Sequence, residues 1–162
     1  MEPTLNINDR VLVVKSYYVE QEIQSGDVVV FYSPNSEYEK NFLNEFAQGL
    51  NSIINFYDQT PSINSAIIKR VVGVGGDRVQ IKENGEVYVN SNKFIVLNIN
   101  EGSNFVEKVY DIPIGEVFVL GDNRNNSQDS RFIGTINNDL ILGKAFYVVY
   151  PFTNFKFLDD WR

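Results

Sequence analysis

The sequence predicts a predominantly β domain with one helical insertion, on three observations. Short runs of β-branched and aromatic residues recur along the chain, each bounded by turn residues. An Asn84–Gly85 pair separates two stretches in which apolar and polar residues alternate, the pattern of a β-hairpin. One segment alone, Glu37–Tyr57, departs from this rhythm and spaces its apolar residues as a helix does.

Arg10–Lys15 (RVLVVK) and Val28–Tyr32 (VVVFY) are the first two strands, and Ser25–Asp27 (SGD) is a turn between them. In Glu37–Tyr57 the apolar residues fall at 42, 43, 46, 50, 53, 54 and 57, which puts them on one helical face. Such a helix packs on a sheet. The alternative, a helix lying on a membrane surface, is disfavoured by its one Lys and three Glu. Thr60–Asn64, with Pro61, reads as a loop, so the insertion spans 37–64. Ile67–Val72 (IIKRVV) is a further strand, ended by the glycines of Gly73–Asp77. In Arg78–Asn90 the pairs Val79/Ile81 and Val87/Val89 alternate with polar residues. Asn-Gly permits the positive φ angles of a type I′ turn, so a hairpin is expected within residues 73–110. Glu116–Gly121 and Lys144–Tyr150 complete the strands.

A chain of 162 residues suits one domain, 1–162, and 43% hydrophobic residues suffice for a core. The net charge of −7 argues against nucleic acid as a partner, because phosphate backbones require a positive surface. There is no Cys, hence no disulfide, thiol nucleophile or zinc-thiolate site. There is no His, which removes the usual general base and the usual transition-metal ligand. A hydrolase built from these residues must move its proton with a carboxylate, a Tyr or a Lys. No run of about 18 apolar residues occurs, and the opening is polar without a basic start, so neither a membrane span nor a signal peptide is expected here.

Two stretches have the composition for chemistry. In Ser65–Asp77 (SAIIKRVVGVGGD), strand alternation puts Ile67, Lys69 and Val71 on one face and Ile68, Arg70 and Val72 on the other. A Lys in apolar surroundings loses the hydration that favours its charge, so its pKa falls and its amine becomes a competent base for a Ser hydroxyl. Arg70 cannot serve, because a guanidinium does not deprotonate. The simpler alternative is a strand Lys that extends its ammonium to water. Gly73, Gly75 and Gly76 lack dinucleotide-loop spacing and precede a hairpin, not a helix. The second stretch is Gly121–Gly134 (GDNRNNSQDSRFIG). Its spacing fails the calcium-loop pattern, and no metal site or cofactor is expected. It is either a solvated loop or one held by ion pairs of Arg124 and Arg131 with Asp122 and Asp129, which would let Ser127 present its hydroxyl. At the start, MEPTLN says little alone, except that Pro3 biases Glu2 toward an extended backbone.

Taken in order, MEPTL (1–5), KRVVGVGGD (69–77) and GDNRNNSQDSR (121–131) resemble the type I signal peptidase family, membrane-bound serine proteases with a Ser/Lys dyad. SGDVVVF (25–31) resembles a further family box, and LGKAFYVVYPF (142–152) the close of the catalytic domain. The 37–64 insertion and Lys93–Tyr110 lack recognisable motifs. The resemblance implies packed antiparallel sheets. It implies Lys69 as general base, with Ser127 bonded to Lys69 and orienting it. Arg70, Asp122, Arg124, Asp129 and Arg131 would support the site, and Met1, Pro3 and the extended segment after them would lie beside it. The implied substrates are preproteins with small residues at P1 and P3, bound at a strand edge. The implied location is a membrane anchor with the catalytic domain on the extracytoplasmic side, where Tyr17, Tyr18, Phe152 and Phe155 could face lipid.

One departure bears on activity. In this family the nucleophilic Ser immediately precedes the Met of the M-x-P-T-L box, and here nothing precedes Met1. A second Ser that helps form the oxyanion hole, and the upstream anchor, would be missing with it. The chain as written is therefore expected to be inactive. Thr4 lies four residues beyond the nucleophile's position, and strand alternation would face it differently. A non-catalytic module binding peptides or an envelope partner is the alternative from another class. A self-cleaving repressor-type regulator fits poorly, because no DNA-binding region is present and the charge is acidic.

Overall fold

A computed structural model describes residues 1–15, 22–32, 66–96 and 105–158. Its strands are β1 (Arg10–Lys15), β2 (Val28–Tyr32), β3 (Ala66–Val74), β4 (Arg78–Ile81), β5 (Val87–Val89), β6 (Asn92–Lys93), β7 (Lys108–Asp111), β8 (Glu116–Leu120), β9 (Ile136–Asn137), β10 (Ile141–Tyr150) and β11 (Lys156–Phe157). A single-turn helix, α1 (Ser130–Ile133), follows β8. The helix expected in 37–57 lies outside the described residues, as do Tyr17 and Tyr18.

All pairings are antiparallel. The larger sheet has the order β1-β10-β2-β3-β8-β9, with β11 added to β10. The smaller has the order β6-β5-β4-β7. The all-β reading therefore holds, with antiparallel sheets as its architecture.

β8 explains why parts of this chain read as unbroken apolar runs. Val117 and Val119 enter one core cluster with Val29, Phe31, Val71 and Ile136. Phe118 and Leu120, on the opposite face, join Val79, Ile81 and Val87 of the smaller sheet. A strand covered on both faces has no polar side to display. β3 likewise serves two clusters, with Val71 in the first and Val72 in the second. At Gly73 the chain passes from one sheet toward the other. A Cβ there would lie 2.6 Å from Val79 Cγ2, so only glycine allows the approach.

The hairpin forms, with Val79 opposite Val89 and Ile81 opposite Val87. Its turn differs from the expected type I′ loop. Gly85 alone takes a positive φ, of 86°, and its amide donates to the Lys82 carbonyl, while Lys82 N–H donates to Glu86 O. This is a three-residue connection with the glycine in the left-handed position. The Asn84 side chain accepts from Glu86 N–H, so it caps the loop and does not have to adopt a positive φ itself.

Phe118 is fully buried, and its ring lies 4.5 Å from that of Tyr110 on the smaller sheet. Phe118→Ala should lower stability by about 3–5 kcal/mol in urea unfolding. A loss below about 1 kcal/mol would show that the two sheets do not share a core there.

Candidate active site

The site is assembled around two carboxylates. Asp122 lies just past β8, after Gly121, and is fully buried. Arg70, on β3, meets it with both arms of its fork, Nε at 3.0 Å and Nη2 at 2.8 Å. Arg70 Nη1 donates to the Gly26 carbonyl at 2.9 Å. The Ser25–Asp27 turn that supplies this carbonyl is fixed to β3 by its backbone. Gly26 N–H donates to Val71 O, and Val71 N–H donates to Asp27 O. Ser25 Oγ donates to Val72 O. The Asp27 side chain is itself buried against Lys144, at 2.6 Å. Thr4 Oγ1 donates to the Asp122 carboxylate, which joins the start of the chain to the same ion pair.

Asp129 is the second carboxylate, also fully buried. It accepts from Gly121 N–H at 3.0 Å and from Arg131 Nε and Nη2 at 2.7 and 2.8 Å. It also caps α1 by accepting from Arg131 N–H. Arg131 Nη2 reaches back to the Arg124 carbonyl at 2.6 Å. Residues 121–134 are thus closed on themselves through one Asp–Arg pair. Ser130, which sequence reasoning passed over, is buried in this wall and accepts from Val119 N–H.

Lys69 lies on β3 between Ile67 and Val71, and those two residues contribute to one core cluster. Among the described residues, its amine forms no ion pair. Its pKa lies below the usual 10.5, chiefly because burial strips water from the ammonium. Asp129 and Asp122 oppose that shift, and Arg131 adds to it. The Met1 amino group is near enough to feel Lys69. Its own pKa is lowered, first by burial and then by the Lys69 charge.

Gly121 is where Lys69 and Ser127 meet. A Cβ on it would stand 2.1 Å from Ser127 Oγ and 3.5 Å from Lys69 Nζ. The two side chains therefore converge on the space beside one glycine. The Ser127–Lys69 hydrogen bond implied by the family resemblance is not formed. Ser127 Oγ is turned against Gly121 and is buried without a partner.

The first residues also differ from expectation. They form a turn, closed by Leu5 N–H donating to Met1 O, and not an extended segment. Burial of Leu5 in the core and the bond from Thr4 to Asp122 hold this turn in place. Met1 is half-buried beside the site, while Pro3 is exposed. A hollow of about 350 Å³ opens here, lined by Met1, Leu5, Ile7, Ile68, Asn123 and Asn126 among others. The structure therefore gathers Lys69, Arg70, Asp122, Arg124, Ser127, Asp129, Arg131 and Met1 into one region, and leaves Pro3 at its margin.

Comparison with known proteins gives the class to which this β-sheet frame belongs. A family model described as signal peptidase, peptidase S26, matches residues 1–150, and the chain belongs to that family. A probable signal peptidase I-2 of Synechocystis is 32% identical over 160 residues, covering 99% of this chain and 63% of that protein. A signal peptidase I of Leptolyngbya laminosa is 32% identical over 151 residues, covering 93% and 64%. A signal peptidase IB of Staphylococcus aureus is 30% identical over 175 residues, covering 97% and 76%. The chain thus spans somewhat under two thirds of the Synechocystis and Leptolyngbya relatives. A crystal structure of a signal peptidase I from Enterococcus faecalis V583 shares the fold, with a TM-score of 0.52 at 20% identity over 76% of this chain and 97% of that one.

Two outcomes follow. Gly121→Ala forces its new methyl group into Ser127, which should cost about 1–3 kcal/mol; an unchanged urea midpoint would show that Ser127 moves aside freely. Lys69 binds its proton less tightly when folded than when unfolded. The resulting penalty is complete below the folded pKa and is relieved as pH rises from there toward 10.5. Lys69→Met should therefore gain stability over the parent chain at neutral pH, and the gain should shrink toward pH 10.5. A stability difference that stays constant with pH would refute this.

Proposed function

We propose that this chain is the catalytic domain of an endopeptidase that removes signal peptides from exported preproteins through a Ser/Lys dyad. One observation carries the reading: Lys69 is a partly buried amine without an ion pair among the described residues, in a chain that has no His, and it lies close to the Met1 nitrogen. A serine joined to that nitrogen would stand beside the amine.

In this mechanism neutral Lys69 accepts the proton of the serine hydroxyl as its oxygen attacks the scissile carbonyl. The protonated amine then returns that proton to the leaving amino group, and the signal peptide remains as an ester on the serine. Water, activated by the same amine, releases it. Ser127 orients Lys69 by closing the short gap to it, a rotation the ester-forming complex would favour. Arg70 with Asp122, and Asp129 with Arg131 and Arg124, hold the wall in place. Met1 shapes the hollow, and Pro3 helps turn the segment that carries it.

The frame supports substrate binding too. β2 pairs with β3 along Ala66–Arg70, but β8 begins its pairing only at Arg70. Among the described residues no strand pairs with Ala66–Lys69 on that second side, so a peptide can add there as a strand. The hollow beside Met1 and Ile68 then receives a small P1 side chain.

The preprotein is met at a membrane. No described helix is long and apolar enough to cross one. Ile7 and Phe152, each 83% exposed, and Phe155, 62% exposed, form an apolar margin instead. The 3₁₀ turn Phe152–Asn154 is tied to the initial segment, because Asn154 donates to Asp9 at 2.7 Å. Exposed aromatic side chains at this edge support a surface that meets lipid.

A chain beginning at Met1 and one extended upstream by Gly-x-Ser, each given a signal-peptide substrate with Ala at P1 and P3, test the reading. Only the extended chain should cleave, and Lys69→Ala should abolish its activity. The rate should rise with pH along a limb below 10.5, as the amine loses its proton. Cleavage that survives Lys69→Ala would overturn the dyad. Tight binding of the peptide with no cleavage by either chain would favour a binding module.

A further inference from the structure

Across the Asn123–Gln128 loop from the Met1 hollow lies a second one, of about 270 Å³. Arg124, Ser127 and Arg131 line it together with Phe105 and Phe132, and the two hollows share Asn126 as a wall. Its two arginines differ sharply. Arg131 is committed to Asp129 and to the Arg124 carbonyl, and its guanidinium sits 4.9 Å from the Phe105 ring centre and 5.6 Å from that of Phe132. Arg124 is only 5% exposed, and its Nε is buried without a partner. Among the described residues its side chain makes no hydrogen bond and no ion pair. Burial pulls its pKa down to about 10, against the pull of Asp122, so it is still a cation at neutral pH.

A buried guanidinium is costly unless an acceptor meets it. Among the described residues no acidic side chain lines this hollow, although the chain carries a net charge of −7. The vacancy in Arg124's bonding suits a planar anion. Its source follows from position. A peptide with its P1 side chain beside Met1 and Ile68 brings its scissile carbonyl to Lys69. Ser127 lies next to Lys69, and the second hollow opens beyond Ser127. A peptide so placed would reach this hollow with the residues that follow the cleaved bond.

We propose that the second hollow is a carboxylate-binding subsite, in which Arg124 receives an acidic side chain from the mature side of the scissile bond. This rests on the peptidase reading above. The rings of Phe105 and Phe132 would cover the aliphatic part of that side chain, and Gln128 at the exposed rim would add a donor.

The test gives the chain extended upstream by Gly-x-Ser substrates that are identical except for Asp, Asn or Ala at P1′, P2′ or P3′. At one of these positions Asp should raise kcat/KM about ten-fold over Asn, and added salt should shrink the ratio. Arg124→Gln should bring the ratio close to one, and Arg124→Lys should keep part of it. Because Arg124 also belongs to the wall of the site, Gln128→Glu is the second variant. Its added carboxylate should lower or reverse the preference, and a ratio within one variant is independent of the amount folded. Cleavage without any Asp preference at the three positions overturns the subsite and leaves the peptidase reading standing. If no substrate is cleaved, the peptidase reading fails. Equilibrium binding of the mature-side peptide then judges the hollow separately, with the Asp form about ten-fold tighter than the Asn form as the supporting result and equal binding as the contrary one. Inorganic phosphate bound more tightly than the Asp peptide would assign the hollow to a phosphate ligand and overturn the proposal.

Discussion

The pair of Arg70 and Asp122 is the interaction on which the rest of this structure depends. Both side chains are almost wholly withdrawn from water. Such a pair offsets its desolvation only when every donor and acceptor is met. Here the requirement is met by parts of the chain that are distant in sequence. The Gly26 carbonyl takes the remaining arm of Arg70, and the Thr4 hydroxyl adds to Asp122. Four segments are therefore held at fixed positions by one carboxylate and one guanidinium. Because Lys69 precedes Arg70 on the same strand, fixing Arg70 also fixes where the Lys69 amine emerges on the opposite face.

The same principle accounts for the electrostatics around Lys69. Two buried carboxylates lie within range of its charge, and either could have captured the ammonium and held it protonated. Each is instead satisfied by its own arginine, Asp122 by Arg70 and Asp129 by Arg131. What reaches Lys69 is a residual field, too weak to offset the loss of hydration. A chain without His thus gains a group whose amine is more readily neutral. Among the described residues the local cancellation also leaves the Arg124 guanidinium without an acceptor, and that incompleteness is what marks the second hollow.

Much of the fold could be read in advance because it depends on local periodicity. The strands at Arg10–Lys15, Val28–Tyr32 and Arg78–Ile81 announce themselves through β-branched residues, and the alternation around Asn84–Gly85 locates the hairpin. The turn within that hairpin was less legible. Asn-Gly is compatible with more than one loop, and the choice depended on how the Asn84 side chain met the Glu86 amide. The initial segment is a similar case. The family resemblance implies an extended course after Pro3, whereas Leu5 and Thr4 answer to groups reached only after folding, and a turn forms. Ser130 gave no signal at all, since its value lies in accepting the Val119 amide across the site wall.

By itself, the sequence determined the β class, the family through its ordered motifs, and the absence of imidazole and thiol chemistry. These depend on residue identity and on spacing along the chain, both of which are local. Only the tertiary structure decided which charges cancel. Nothing in the order of residues says that Arg131 takes Asp129 while Arg124 Nε is buried without a partner, or that Gly121 brings Lys69 and Ser127 to the same point. Those outcomes depend on distances between segments up to 118 positions apart, as from Thr4 to Asp122, and such distances exist only once the sheets have packed.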